Sequence, residues 1–201
     1  ARAEIGPHVR EMDERAQFPD GLVPRLFDLG VMGIEVPEAH GGAGASFFHS
    51  VLAVEALARV EAAVSVLVDV QNTLVVNAVS RWGSDALKAR LLPRLASRDV
   101  GAYALSEAGS GSDAFALATR ATQTSDGYRI TGRKLWITNA HYAETLVVYA
   151  KTDPEAGPRG ITAFLVEKGF KGFRPAQKLD KLGMRGSPTS ELVFEDCEVP
   201  A

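Results

Sequence analysis

Residues 118–138 read ATRATQT-SDG-YRITGRKLWIT, and this stretch decides the fold of the C-terminal half. Two runs rich in Thr, Tyr, Ile and Trp flank Ser125-Asp126-Gly127, a three-residue connection containing Asp-Gly, which reads as a β-hairpin. Downstream, ETLVVYAKT (144–152), GITAFLVEK (160–168) and SELVFEDCEV (190–199) read as three further strands. Five or more strands without intervening helices predict an antiparallel β-barrel or sandwich, not a parallel sheet.

Upstream the period changes from two to that of a helix. In GLVPRLFDLG (21–30), Leu22, Leu26 and Leu29 share a helical face, with Pro24 early enough to be tolerated. PEAHGGAGAS (37–46) is a turn-rich loop, and Ser46 is placed to cap a helix running to about Arg59. VSVLVDVQNTLVVNAVSRWG (64–83) is a long helix, apolar nearly all round and ended by Gly83. Asp69, Gln71, Asn72 and Asn77 interrupt the uncharged run that a membrane span needs, so a buried core helix is expected. SDALKARLLPRLAS (84–97) adds an amphipathic helix with Leu87, Leu91 and Leu95 aligned. The expected class is α+β: a helical domain over residues 1–98, then a β domain over 99–201.

Composition closes off several functions. The 201 residues are 46% hydrophobic and 23% charged, ordinary for a globular core. A net charge of −3 leaves no electrostatic footprint for nucleic acid. Cys197 is the single cysteine, which rules out an internal disulfide and suits a reducing compartment. The four histidines show no ligand-like spacing with it, so no metal site is inferred. With no initiator Met and a last stretch, EVPA, that follows directly on a strand-like run, the chain reads as a piece of a longer protein.

Two stretches carry chemistry. YALSEAGSGSD (103–113) offers hydroxyls from Ser106, Ser110 and Ser112, and glycines at 109 and 111 whose freedom to adopt φ > 0 would admit a ligand to the main chain. Its amides could form an anion-binding concavity suited to a phosphate or pyrophosphate. It lacks the third glycine and the strand–helix–strand setting of a Rossmann fingerprint, and a plain Ser/Gly turn is the competing reading. In KLWITNA (134–140), Trp136 and Thr138 lie two apart on a presumed strand and so project from one face. An indole can cover a flat ring and a hydroxyl can bond a ring heteroatom. The competing reading makes Trp136 part of the β core and Thr138 an ordinary strand residue.

ALSEAGSGSDAFA (104–116) followed by KLWITN (134–139) resembles the acyl-CoA dehydrogenase family. LGVMGIEVPEAHGGAGAS, VQNTL, YAKTD, GITAFLVEKG and KLDKLGMRGSPTSELVFEDCEVP resemble family segments in the same order, so the likeness covers nearly the whole chain. The helical part is most similar to short/branched-chain enzymes, and the later part also to isovaleryl-CoA dehydrogenases. The resemblance implies α,β-desaturation of short or branched-chain acyl-CoA thioesters with FAD as cofactor. It implies that Tyr103, Leu105, Ser106, Gly111, Ser112, Trp136, Ile137 and Thr138 bind FAD, Thr138 near the reactive N5 edge. Ser112 would also meet the pantetheine of CoA.

On the same footing Arg159 would contact substrate, with a solvated loop arginine as the alternative. Val70 and Leu74, with Val66 on one helical face, would line the acyl pocket, with simple core packing as the alternative. KGFKGFRPAQKLDKLGMR (168–185) carries six Lys/Arg against Asp180, a draw for CoA phosphates or merely a solvated face. The general base implied by the resemblance is a glutamate on a C-terminal helical domain beyond residue 201, and Glu107 is read as structural. An electron-transfer flavoprotein is the implied electron acceptor and a homotetramer the implied assembly. Ala-, Arg- and Val-rich usage suits a bacterial cytoplasm; in a eukaryote the resemblance implies the mitochondrial matrix. An acyl-CoA oxidase or nitroalkane oxidase on the same scaffold, or a non-catalytic flavin- or CoA-binding module, are the rival functions.

Overall fold

A computed structural model describes residues 1–200. Two compact units make up the chain. One comprises Ala1–Gly101 with Asp180–Pro188, the other Ala102–Leu179 with the residues from Thr189 onward.

The first unit is helical. Its elements are α1 (Val9–Arg15), α2 (Leu22–Asp28), α3 (Phe47–Ala58), α4 (Ala62–Asp69), α5 (Asn77–Trp82) and α6 (Asp85–Ser97). Ser46 caps α3 as expected: its N–H donates to His49 Nδ1 at 3.3 Å, and its hydroxyl lies 2.9 Å from the same nitrogen. In α2, Leu26 is buried, but Leu29 lies past the helix end and is solvent-exposed, so the expected three-leucine face is really shorter.

α4 and α5 form one continuous helix, Ala62–Trp82, joined by a π segment at Val70–Val76. By length and mean hydropathy this helix could cross a membrane, yet most of it is buried, including Val64, Leu67, Val68, Val75 and Val76. The π segment places two amides in that core. Gln71 Nε2 donates to the Leu95 and Asp99 carbonyls, and its Oε1 accepts from the Gly101 N–H at 2.6 Å. Asn72 Nδ2 donates to the Val31 and Val68 carbonyls while Oδ1 accepts from the Ile34 N–H. Each unpaired buried polar group costs about 1–3 kcal/mol, so Asn72→Leu should lower stability by at least that much in urea unfolding.

The second unit is built on seven strands, the first of which begins in the last two residues of the first unit: β1 (Val100–Ala104), β2 (Arg120–Gln123), β3 (Gly127–Thr138), β4 (Ala143–Lys151), β5 (Ile161–Glu167), β6 (Phe173–Lys178) and β7 (Thr189–Pro200). The expected hairpin is present, with Gln123 opposite Tyr128 and the Thr124 N–H on the Gly127 carbonyl. The sheet is mixed, however, and corrects the expectation of a purely antiparallel barrel or sandwich. Its order is β1-β4-β2-β3-β7-β6, with β5 on β4, and β2 runs parallel to β4 where Arg120 meets Lys151. The reason is topological. Direction alternates along a meander, so strands two apart in sequence run the same way, and here β4 folds back beside β2 instead of β3. Ile130, Ile137, Leu146, Val148, Phe164, Val166, Leu192 and Phe194 form the core beneath this sheet.

Candidate cofactor site

The segment between β1 and β2, residues 105–119, is a loop containing one 3₁₀ turn at Ala114–Ala116. Local bonds set its shape. Glu107 and Ser110 exchange backbone hydrogen bonds at 2.9 and 3.1 Å, and the buried Ser110 hydroxyl donates to the Asp113 carbonyl at 3.0 Å. Asp113 accepts from the Phe115 N–H and caps the 3₁₀ turn. Neither Gly109 nor Gly111 uses a positive φ, contrary to the sequence reading, and a Cβ on either would meet nothing within 4 Å. Nothing in this unit therefore demands glycine there. What glycine leaves at these exposed positions is bare backbone facing open space, which is the condition for close approach by a ligand.

The loop is tied to β3 by a buried ion pair. Lys134 Nζ donates to Glu107 Oε1 at 2.8 Å and to the Leu105 carbonyl at 3.0 Å, with the Lys134 side chain 0% and that of Glu107 9% exposed. The Glu107 carboxylate also accepts from the N–H groups of Ala118 (2.6 Å) and Thr119 (3.0 Å). Burial alone would raise the Glu107 carboxyl; the Lys134 ammonium, Thr119 and the Ala118 amide outweigh it and hold the group below its ordinary 4.5. Burial pulls the Lys134 ammonium down, against the opposing pull of Glu107.

A carboxyl depressed on folding favours the folded state above its unfolded pKa, and that contribution disappears as pH falls through 4.5 towards the lower folded value. Urea midpoints measured from pH 7 down to 3 should drop steeply for the natural chain, and the slope should flatten in Glu107→Gln.

Immediately after Lys134 the β3 backbone departs from regular pleat. Lys134 opposes Leu192 and Ile137 opposes Ser190, so three steps on β3 span two on β7, a bulge. Trp136 occupies it at φ 63°, and Asn139 follows at φ 66° before the turn into β4. A left-handed backbone at a bulky aromatic residue is strained. The bulge also removes the period-two argument for Trp136 and Thr138 sharing a face. Trp136 is 60% exposed and stands outside the core, while Ile137 is buried within it. The Leu135 N–H donates to the Ser106 carbonyl at 2.9 Å, which sets the residue before Trp136 directly against the loop.

All eight expected cofactor residues lie in the second unit. Leu105 and Ser106 are half-buried at the loop start, Gly111 and Ser112 are exposed at its crest, and Thr138 is half-buried opposite Thr189. Tyr103, half-buried on β1, donates its hydroxyl to the Tyr149 hydroxyl at 2.8 Å, and burial followed by that bond raises its phenol above 10.0. Arg159 lies on the exposed turn before β5. Val70 and Leu74 belong to the first unit: Val70 is buried in its core, whereas Leu74 is 37% exposed at the π segment. The basic run is largely neutralised, with Lys168 on Glu144, Lys171 on Glu198, Arg174 on Glu195 and Arg185 on Asp180. Sequence reasoning missed Lys134. The available signal was its phase, four residues after buried Ile130 on the inward face of a strand.

Fold and site together define a two-unit protein whose β unit presents a bare-backbone loop beside an exposed indole. Residues 1–99 match "Acyl-CoA dehydrogenase, N-terminal domain" and residues 102–197 match "Acyl-CoA dehydrogenase, middle domain". The chain belongs to the acyl-CoA dehydrogenase family and carries its N-terminal and middle domains. It is 44% identical over 200 residues to the mitochondrial short/branched chain specific acyl-CoA dehydrogenase of Rattus norvegicus, covering 100% of this chain and 46% of that one. Mitochondrial isovaleryl-CoA dehydrogenase of Oryza sativa subsp. japonica is 45% identical over 203 residues, covering 100% and 50%. The structure of butyryl-CoA dehydrogenase from Megasphaera elsdenii superposes with a TM-score of 0.94 at 37% identity, covering 98% of this chain and 53% of that one. The chain spans about half the length of the relatives it matches.

Proposed function

We propose that this chain is the cofactor-holding part of an FAD-dependent acyl-CoA dehydrogenase acting on short or branched-chain acyl-CoA thioesters. The observation that carries the reading is the pairing, through Leu135 and Ser106, of a loop whose glycines face open space with a strained, exposed tryptophan. The donor set suits a flavin dinucleotide. Exposed main-chain N–H groups around Gly111 and Ser112 suit a pyrophosphate, and Trp136 suits a flat ring. Leu105, Ser106, Ile137 (through its backbone) and Thr138 would complete the contacts, and Tyr103 would border them. When bound, FAD supplies the acceptor for a hydride from the β carbon.

The chain's own part is to bind and orient. Glu107 does not serve as the base that removes the α proton, because both of its oxygens are committed to Ala118, Thr119 and Lys134. By the likeness to the family, Arg159 would contact substrate, Ser112 would meet the pantetheine, and Val70 and Leu74 would line the acyl pocket. An electron-transfer flavoprotein would receive the electrons. The assembled enzyme would be a homotetramer, mitochondrial in a eukaryote and cytoplasmic in a bacterium.

Gly111→Ala tests the reading. With no positive φ and nothing within 4 Å of the new methyl, stability should hold or rise by about 0.4–1 kcal/mol. FAD affinity, measured by fluorescence titration, should nevertheless fall. Unchanged affinity would contradict the placement of the dinucleotide on this loop.

A further inference from the structure

The loop's own turns fix its shape but not its place. Lys134 supplies two of the hydrogen bonds that attach it to β3: one to Glu107 and one to the Leu105 carbonyl. Another is the Leu135–Ser106 bond one residue on. Glu107 in turn gathers the far end of the loop by its bonds to the Ala118 and Thr119 amides. Both ends of a long loop and the residue just before the Trp136 bulge therefore meet on one buried charge pair. A buried ion pair is a weak choice for stability alone, since an apolar pair of similar volume often does as well. An apolar pair, however, would leave the Leu105 carbonyl and two amides without partners, and would carry no direction.

We propose that Glu107 and Lys134 are positioning residues of the cofactor site, setting the separation between the Ser106–Ser112 loop and Trp136 before any ligand arrives. The claim rests on the flavin reading above. Preorganisation of this kind raises affinity by lowering the ordering cost at the moment of binding.

The test compares the natural chain with the double variant Glu107→Gln/Lys134→Met, which leaves no unpaired charge buried, and with Glu107→Asp, which keeps the charge but shortens its reach. Amide exchange is followed without ligand, and FAD affinity by titration. In the double variant, exchange at Glu107, Ser110 and Leu135 should quicken about tenfold or more while β4 and β5 stay protected, and FAD should bind about tenfold or more weakly. If the double variant loses protection in β4 and β5 as well, Glu107→Asp decides: loop exchange and FAD affinity must both worsen with those strands intact. A variant with an intact sheet that keeps both the loop protection and the FAD affinity of the natural chain overturns the positioning role and leaves the flavin reading standing. A natural chain that is folded and binds no FAD overturns the flavin reading and the positioning role with it.

Discussion

Lys134→Ala is expected to lower the stability of the second unit by about 3–5 kcal/mol, the cost of removing one partner from a buried ion pair. Three losses explain the size. The substitution strands the Glu107 carboxylate at 9% exposure, unpairs the Leu105 carbonyl and empties volume beneath the sheet. Domains retain only about 5–15 kcal/mol in total, so much of the margin would go. Lys171→Ala serves as the control. Its pair with Glu198 spans 3.2 Å on the surface and should be worth no more than about 1 kcal/mol. Urea unfolding followed by far-UV circular dichroism reads both, and equal, small losses would contradict the weight given to the buried pair.

Trp136→Gly should separate stability from binding. Glycine relieves the left-handed strain at φ 63°, about 1–2 kcal/mol, and an indole already 60% exposed forfeits little packing. Melting temperature should therefore hold or rise. FAD affinity should fall at the same time, because a flat ring stacked on an aromatic side chain is worth about 1–3 kcal/mol, roughly 5- to 150-fold in dissociation constant. A structural tryptophan would give the opposite pattern, with stability lost and affinity kept.

How far these features could be read from the sequence depended on whether local chemistry alone fixes them. The hairpin was legible because Ser125-Asp126-Gly127 sits between two β-rich runs. Burial of the Ala62–Trp82 helix was legible because its polar residues interrupt an otherwise spanning stretch. Its π segment was not, since Gln71 and Asn72 reveal their purpose only through backbone groups dozens of residues away. Strand β6 was masked by its charge and by Pro175, which read as a solvated run. Strand order was also hidden, because no residue near β4 announces that it returns beside β2.

At the site, the residue types of the loop and of the Trp–Thr stretch are visible in the sequence, but their geometry is not. Alternation along a strand presumes regular pleat, and the bulge at Leu135–Trp136 depends on pairing with β7, more than fifty residues later. The glycines were credited with positive φ that they do not adopt; what matters is the absence of a side chain. Glu107 could be recognised as structural from its place in the motif, whereas its partner required the strand's inward phase to be trusted over the usual preference of lysine for water.

The most direct measurement of the central claim is an FAD titration of the chain carrying Trp82→Phe, in which Trp136 is the remaining indole. Saturable quenching of its emission at one FAD per chain is expected, with a yellow protein after gel filtration. A folded, colourless protein whose Trp136 emission is indifferent to FAD would contradict it.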